Sequence, residues 1–81
     1  MAVSKDTVEI EGFAVVVATG DREQTVNVCR SGTSPGDYRQ VYRSKVPENW
    51  VSAGGLVRVQ SLFELEQKLL ARGYVAEGGR T

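Results

Sequence analysis

The stretch TVEIEGFAVVVATGDREQTVNVC, Thr7 to Cys29, decides the fold of this chain. In both halves, valines and isoleucines alternate with polar side chains, which is the two-residue period of a strand with one buried face. Gly12 interrupts the first half, where a glycine favours a bulge or a tight reversal of the chain. The polar residues of Gly20–Gln24 predict a turn between the halves. We therefore expect this segment to form a β-hairpin.

A further strand and a connecting segment follow the hairpin. The glycines and proline of RSGTSPGD, residues 30–37, predict a loop. In DYRQVYRSKV, residues 37–46, the two tyrosines fall on one side of an extended chain, whereas the two arginines and the lysine fall on the other. The segment PENWVSAGG, residues 47–55, is typical of a turn or a short helical piece, and LVRVQ, residues 56–60, predicts a short strand.

The clearest local pattern is that of a helix in SLFELEQKLLARGY, residues 61–74. Ser61 and Glu64 have the spacing of a capping box, in which each side chain pairs with the backbone N–H of the other. Gly73 suits a left-handed C-terminal cap, after which Tyr74 folds back on the apolar face. The predicted apolar stripe consists of Leu62, Leu65 and Leu69, flanked by Phe63 and Leu70.

These elements predict an α+β domain: a small antiparallel sheet of about four strands with one C-terminal amphipathic helix packed on one face. The domain spans residues 1–75, and residues 76–81 are expected to form a frayed tail. The run FAVVVA, residues 13–18, is apolar on both sides of the strand, and a single helix covers only one face of a sheet. A symmetric homodimer would cover the other face.

The composition excludes the common kinds of catalytic and metal site. The chain of 81 residues holds no histidine and a single cysteine. It therefore lacks the usual acid–base group at neutral pH and the ligands of an ordinary zinc site. No glycine-rich loop opens a helix, so a phosphate cradle is not expected. We predict a protein that is not an enzyme and needs no cofactor or metal, with Cys29 as a small buried hydrophobe.

The sequence also lacks the features of exported and membrane proteins. Its longest apolar run, residues 13–18, is far shorter than a membrane span. The first residues show no basic segment followed by an apolar one, so no signal peptide is expected. Because a lone cysteine favours a reducing compartment, we predict a cytoplasmic protein without a membrane partner.

The charges balance overall but are unevenly placed along the chain. Ten basic residues match ten acidic ones, so the net charge is zero. Acidic residues predominate before residue 30, whereas basic residues predominate in residues 30–58. Either the two segments lie side by side and neutralise each other across strands, or they form separate faces of opposite charge.

The basic middle of the chain is the candidate binding surface. Tyrosine, tryptophan and arginine are enriched at the energetic centres of protein interfaces, so a protein partner with an acidic surface is expected. Nucleic acid is the alternative, although zero net charge and the separation of rings from charges count against it. In a third interpretation, the aromatic side chains merely cover the helix. The candidate residues are Tyr38, Arg39, Tyr42, Arg43, Lys45, Trp50 and Arg58.

These observations favour a small protein-binding or inhibitor domain. Histidine-free single domains that act through their surface include antitoxins and the anti-host inhibitors of phages and other mobile elements, such as those of the anti-CRISPR type. The alternative class is a small nucleic-acid-binding or transcription-modulating sheet domain. The first class is favoured, because the balanced charge does not supply the phosphate attraction that the second requires.

Overall fold

The structure, a computed structural model, describes residues 4–30 and 38–78. The described residues form five strands: β1 (Ser4–Ile10), β2 (Phe13–Thr19), β3 (Gln24–Arg30), β4 (Tyr38–Ser44) and β5 (Val75–Gly78). Two helices, α1 (Ala53–Leu56) and α2 (Leu62–Ala71), lie between β4 and β5, after a 3-10 turn at Pro47–Asn49. Neighbouring strands pair antiparallel in chain order, so the α+β class is confirmed.

A two-residue turn joins β1 to β2. Ile10 pairs with Phe13, and both residues between them have positive φ, 53° at Glu11 and 78° at Gly12. A type I′ turn requires positive φ at both of its central positions, and its twist matches that of the strands it joins. Glycine adopts this backbone conformation without steric cost, which explains its place in the turn. Gly12 thus marks a tight reversal rather than a bulge.

The core lies between one face of the sheet and the helical segments. Cross-strand partners such as Val15 and Val28 share this face and are almost fully buried. Each fully buried aliphatic side chain stabilises the fold by about 1.5–3 kcal/mol. The core cluster consists of Ile10, Val15, Val17, Val26, Val28 and Tyr42 from the sheet and Val51, Leu56, Leu65, Leu69 and Tyr74 from the residues after β4.

Helix α2 ends as the sequence predicts, but only half of the predicted capping box forms at its start, since among the described residues the Ser61 N–H makes no hydrogen bond to the Glu64 carboxylate. The Ser61 hydroxyl oxygen accepts a hydrogen bond from the backbone N–H of Glu64 at 3.1 Å. Gly73 has a φ of 92°, its N–H bonds to the last helical turn, and the N–H of Tyr74 bonds to the Leu69 carbonyl. These are the two hydrogen bonds of a Schellman motif, in which a left-handed glycine ends the helix. Tyr74 is buried, as expected.

The buried stripe of α2 is narrower than predicted. Leu65 and Leu69 are buried and Leu62 is half-buried, but Phe63 is 72% exposed and Leu70 is 44% exposed. Phe63 precedes Leu65 by two residues, which places it about 200° around the helix axis. Its ring therefore cannot share the core-facing side with the leucines.

The end of the chain differs from the prediction. Five strands are described rather than about four: the chain reverses at Gly12 to give both β1 and β2, residues 56–60 are not a strand, and Val75–Gly78 pairs with β4. Helix α2 is therefore not the last element. Residues 76–78 belong to the sheet and not to a frayed tail, since the open edge of β4 offers them backbone partners. Residues 79–81 lie outside the described part of the chain.

Two other boundaries are corrected. Residues 56–60 do not form a strand: Leu56 ends α1, and its side chain is buried in the core. Val57 and Val59 follow the end of α1, and the Val57 side chain is 67% exposed. Arg30, which the sequence assigns to a loop, belongs to β3, and the rest of that predicted loop, residues 31–37, lies outside the described residues.

Candidate functional site

Strand β4 divides the predicted binding residues between the two faces of the sheet. Tyr42 lies opposite Val26 and faces the helices, whereas Arg43 lies opposite Thr25 on the other face. The predicted separation of rings from charges is therefore present at these positions. Tyr38 and Arg39 are in the strand, but their side chains lie outside what the structure describes.

Tyr42 is part of the core. It is 5% exposed, and its hydroxyl donates to Glu66 Oε2 at 3.3 Å. Burial, followed by the negative charge of Glu66 and this hydrogen bond, raises the pKa of Tyr42 to about 12. For this residue the third interpretation holds, because its ring covers α2. The nucleic-acid alternative loses one of its two stacking rings.

Trp50 fixes the connection between β4 and α1. Its indole N–H donates to the Ser44 carbonyl at 3.2 Å, and its ring is half-buried. Arg72, at the end of α2, donates to the Trp50 carbonyl at 3.3 Å and to the Asn49 carbonyl at 2.8 Å. These contacts give Trp50 a structural task whether or not a partner also touches it.

Arg43 is neutralised within the fold. Its guanidinium pairs with Glu23 at 2.9 Å and with Glu77 at 3.1 Å, which joins β4 to the start of β3 and to β5. The side chain is 34% exposed, and its Nε is buried without a hydrogen-bond partner among the described residues. Glu23 belongs to the acidic first third, so this contact supports neutralisation across strands.

Lys45 and Arg58 are exposed but lie apart. Lys45 follows β4 and lines a shallow groove beside β5 together with Arg43. Arg58 follows α1 and lines a separate groove with Glu64 and Lys68. The predicted residues whose side chains are described therefore do not form one continuous surface.

The sheet face opposite the helices, here called the open face, carries small side chains. The helical residues of the core cluster all pack on the other face, so no described helix covers this one. Cys29 is buried there, and its thiol donates to the Ala14 carbonyl at 3.7 Å. By register, the middle of the open face consists of Ala14, Val16, Ala18, Thr25, Asn27, Cys29 and Val41, and its edges carry Lys5, Thr7, Glu9, Arg43, Val75 and Glu77.

Two exposed lysines flank one end of the open face. Lys5 pairs with Ala18 across β1 and β2, and Lys45 follows Arg43 by two residues, so both belong to this side of the sheet. Lys5 lies in one row with Arg43, three strand spacings of about 4.8 Å away, and Lys45 lies two residues of about 3.3 Å beyond Arg43, which places the two lysines roughly 16 Å apart. Neither lysine forms an ion pair with a described residue.

Sequence reasoning missed a buried polar network centred on Gln24. The sequence places this residue in a turn, but it begins β3 and is 2% exposed. Its amide nitrogen donates to the Val51 carbonyl at 2.7 Å and to Thr19 Oγ1 at 2.9 Å. Its amide oxygen accepts from the Val51 N–H at 3.2 Å and from the Tyr74 hydroxyl. Nothing in the sequence distinguishes this glutamine from a surface one.

A second unforeseen contact links the first hairpin to α2. The Glu11 carboxylate accepts a hydrogen bond from the Leu62 backbone N–H at 2.7 Å. A carboxylate is favoured at a helix N-terminus, where backbone N–H groups lack partners within the helix. The turn of the hairpin therefore helps to place the helix over the sheet.

Further tests for known kinds of site find none. The described residues contain no group of three or more histidine, cysteine, aspartate or glutamate side chains placed to hold a metal ion. Within the same residues, no helix combines the length and apolar character needed to cross a membrane. Comparison with protein-family models, curated proteins and solved structures finds no match to this chain. A proposal about function therefore depends on the structure of this chain.

Proposed function

We propose that this protein is a small, non-enzymatic binding domain that acts by contacting another protein through the open face. The observation that carries the proposal is the one-sided packing of the sheet. Strand β2 presents Val15 and Val17 to the helices and Ala14, Val16 and Ala18 to the open face. A strand apolar on both faces is typical of a sheet that is covered on both.

The size of the open face suits a modest interface. Seven residues at about 3.3 Å and five strands at about 4.8 Å span roughly 23 Å by 24 Å, on the order of 500 Å². A standard interface buries about 800 Å² on each partner. The open face together with its flanking lysines would supply the apolar centre and part of the polar rim.

Two lysines at one end of the open face would attract acidic groups of a partner. Lys5 and Lys45 have no ion-pair partner among the described residues, whereas the charge of Arg43 is offset by Glu23 and Glu77. Glu9, at the β1 edge of the same face, confines the basic character to that end. Two acidic groups about 16 Å apart would match the lysines and speed association. An inhibitor of another protein, the class that the sequence favours, would act through such a surface.

Site-specific photo-crosslinking in the cells that make this protein tests the proposal. A photoreactive phenylalanine analogue is placed at Val16 on the open face and, as a matched control, at Gln67 on the exposed side of α2. We expect a discrete protein adduct from position 16 and none from position 67. An adduct between two copies of the chain would identify the homodimer instead. Adducts from position 67 alone would refute the proposal.

Charge reversal tests the acidic partner. Lys5→Glu combined with Lys45→Glu should weaken binding of the crosslinked partner about tenfold at low salt, and the loss should shrink as salt is added. The matched control reverses Arg58 and Lys68, which lie on the helix side. Equal loss in both double variants would mean that net charge, and not this surface, determines binding.

A further inference from the structure

A groove on the helix side of the sheet has the chemistry of a binding site. It lies between α2 and the strands β3 and β4 and has a volume of about 240 Å³. Its walls combine apolar and polar groups, and the described lining includes one carboxylate and no lysine or arginine. The residues that line it are Val28, Gln40, Tyr42, Leu62, Phe63, Leu65 and Glu66.

Glu66 provides the charge of this groove. The residue is half-buried, and one of its carboxylate oxygens accepts the Tyr42 hydroxyl at 3.3 Å. An ionised carboxylate has about four lone-pair sites, so one long hydrogen bond leaves acceptor capacity for another donor. The raised pKa of Tyr42 follows in part from this negative charge beside it.

Phe63 provides an aromatic wall at the mouth of the groove. It is the second residue of α2 and the most exposed of the large apolar side chains among the described residues. The face of a phenyl ring is electron-rich and attracts cations within about 6 Å. A groove that offers leucine side chains, a carboxylate and an aromatic ring is complementary to an alkyl chain that ends in a positive charge.

We propose that this groove binds the cationic side chain, arginine or lysine, of a partner protein. The alkyl stem would lie along Leu62 and Leu65, while the charged group would meet the Glu66 carboxylate and the ring of Phe63. The volume equals that of about eight liquid waters at roughly 30 Å³ each, which is enough for one side chain and too small for a folded segment. The inference rests on the proposed function in one respect: the side chain in the groove belongs to a partner protein.

Titration by NMR with a short peptide tests the groove directly. The probe is acetyl-Gly-Arg-Gly-amide, and its neutral match replaces arginine with citrulline, which has nearly the same shape. We expect the arginine peptide to shift the backbone amide signals of Val28 and Leu65 saturably, with a dissociation constant on the order of millimolar. The citrulline peptide should bind about tenfold more weakly, since it lacks the charge.

Variants of the lining residues assign the contacts. Glu66→Gln should weaken the arginine peptide about tenfold, which corresponds to about 1.4 kcal/mol, and Glu64→Gln, an exposed change on the same helix, should leave it unchanged. Phe63→Ala should weaken binding about threefold, as expected for an exposed cation–π contact. Because Phe63 is outside the core, this variant stays informative if Glu66→Gln disturbs Tyr42.

Three results would overturn the inference: no saturable shift with the arginine peptide, equal affinity for arginine and citrulline, or full binding by both groove variants. The open-face variant Val16→Glu should bind the peptide like the wild type, because it lies on the opposite side of the sheet. A failure of the open-face proposal therefore leaves this titration intact, and a failure here leaves the crosslinking result at Val16 intact.

Discussion

Replacing Gln24 by leucine should be among the most destabilising single changes in this chain. The amide makes four hydrogen bonds in a site where the residue is 2% exposed. Leucine is similar in size but can neither donate nor accept. The Val51 carbonyl and the Tyr74 hydroxyl would each lose a partner, whereas the Val51 N–H would keep its 3.0 Å bond to Tyr74.

The expected loss of stability is large relative to the total. Leaving a buried polar group unsatisfied costs about 1–3 kcal/mol, so two such groups cost about 2–6 kcal/mol. At roughly 0.05–0.15 kcal/mol per residue, a chain of this length has a free energy of unfolding of about 4–12 kcal/mol. A substantial part of the stability therefore depends on one side chain.

Urea unfolding, followed by Trp50 fluorescence and by circular dichroism, measures the effect. With a slope of about 1 kcal/mol per molar urea, the midpoint should fall by about 2–6 M. The matched control, Gln67→Leu, changes an exposed glutamine on α2 and should leave the midpoint within about 0.5 M of wild type. A midpoint for Gln24→Leu equally close to wild type would refute the network as a source of stability.

Three further changes test other contacts. Leu69→Ala should lower the free energy of unfolding by about 2–4 kcal/mol, because the side chain is fully buried; an unchanged urea midpoint would exclude α2 as a core element. Arg43→Glu places a third carboxylate beside Glu23 and Glu77 and should lower the free energy of unfolding by about 1–2 kcal/mol. The exposed control Lys45→Glu should lower it by less than about 0.5 kcal/mol, and the difference between the two variants should become smaller at high salt. The pKa of Tyr42 is about 12 in the folded protein, against 10.0 for an ordinary tyrosine, so folding favours the protonated hydroxyl. The resulting contribution to stability is complete below pH 10 and is lost as the pH rises towards 12. Urea midpoints of wild type and Tyr42→Phe between pH 9 and 11 should therefore show the steeper fall in the wild type.

The elements that the sequence predicts correctly are those with a local cause. Gly12 predicts either a bulge or a tight reversal, and the structure shows the reversal, with positive φ at this glycine. Ser61 and Gly73 mark the two ends of α2. Ser61 accepts a hydrogen bond from the first turn, and Gly73 adopts the left-handed conformation that ends the helix. In each case the interaction spans a few residues, so the sequence window contains the whole physical argument.

The elements that the sequence does not predict depend on distant partners. Val75–Gly78 becomes a strand because β4 has an open edge beside it, and no local property of four residues reveals that edge. Gln24 is buried because Val51 and Tyr74 converge on it from far along the chain. Their positions follow from the packing of the helices, which is decided by the whole core.

The candidate site shows the same division. Alternation along β4 correctly separates Tyr42 from Arg43, since the two-residue period is a property of any strand. The face that the helices cover depends on contacts between distant parts of the chain. Because the helices pack on the face that carries Tyr42, this residue belongs to the core. The groove beside Glu66 could not be predicted from the sequence either, because its walls come from a helix and two strands that are distant along the chain.

The pairing of β5 with β4 has a consequence for how the chain folds. Each of the first three strand pairs joins neighbours along the sequence, but the last pair closes only across the whole helical connection. Contacts of high sequence separation form late, because the intervening chain must first lose its freedom. Until Val75–Gly78 pairs with it, β4 is an edge strand of the described sheet. In that interval the backbone groups of β4 and the charge of Arg43 would face solvent, and the nascent chain would be most prone to pair with another at that edge.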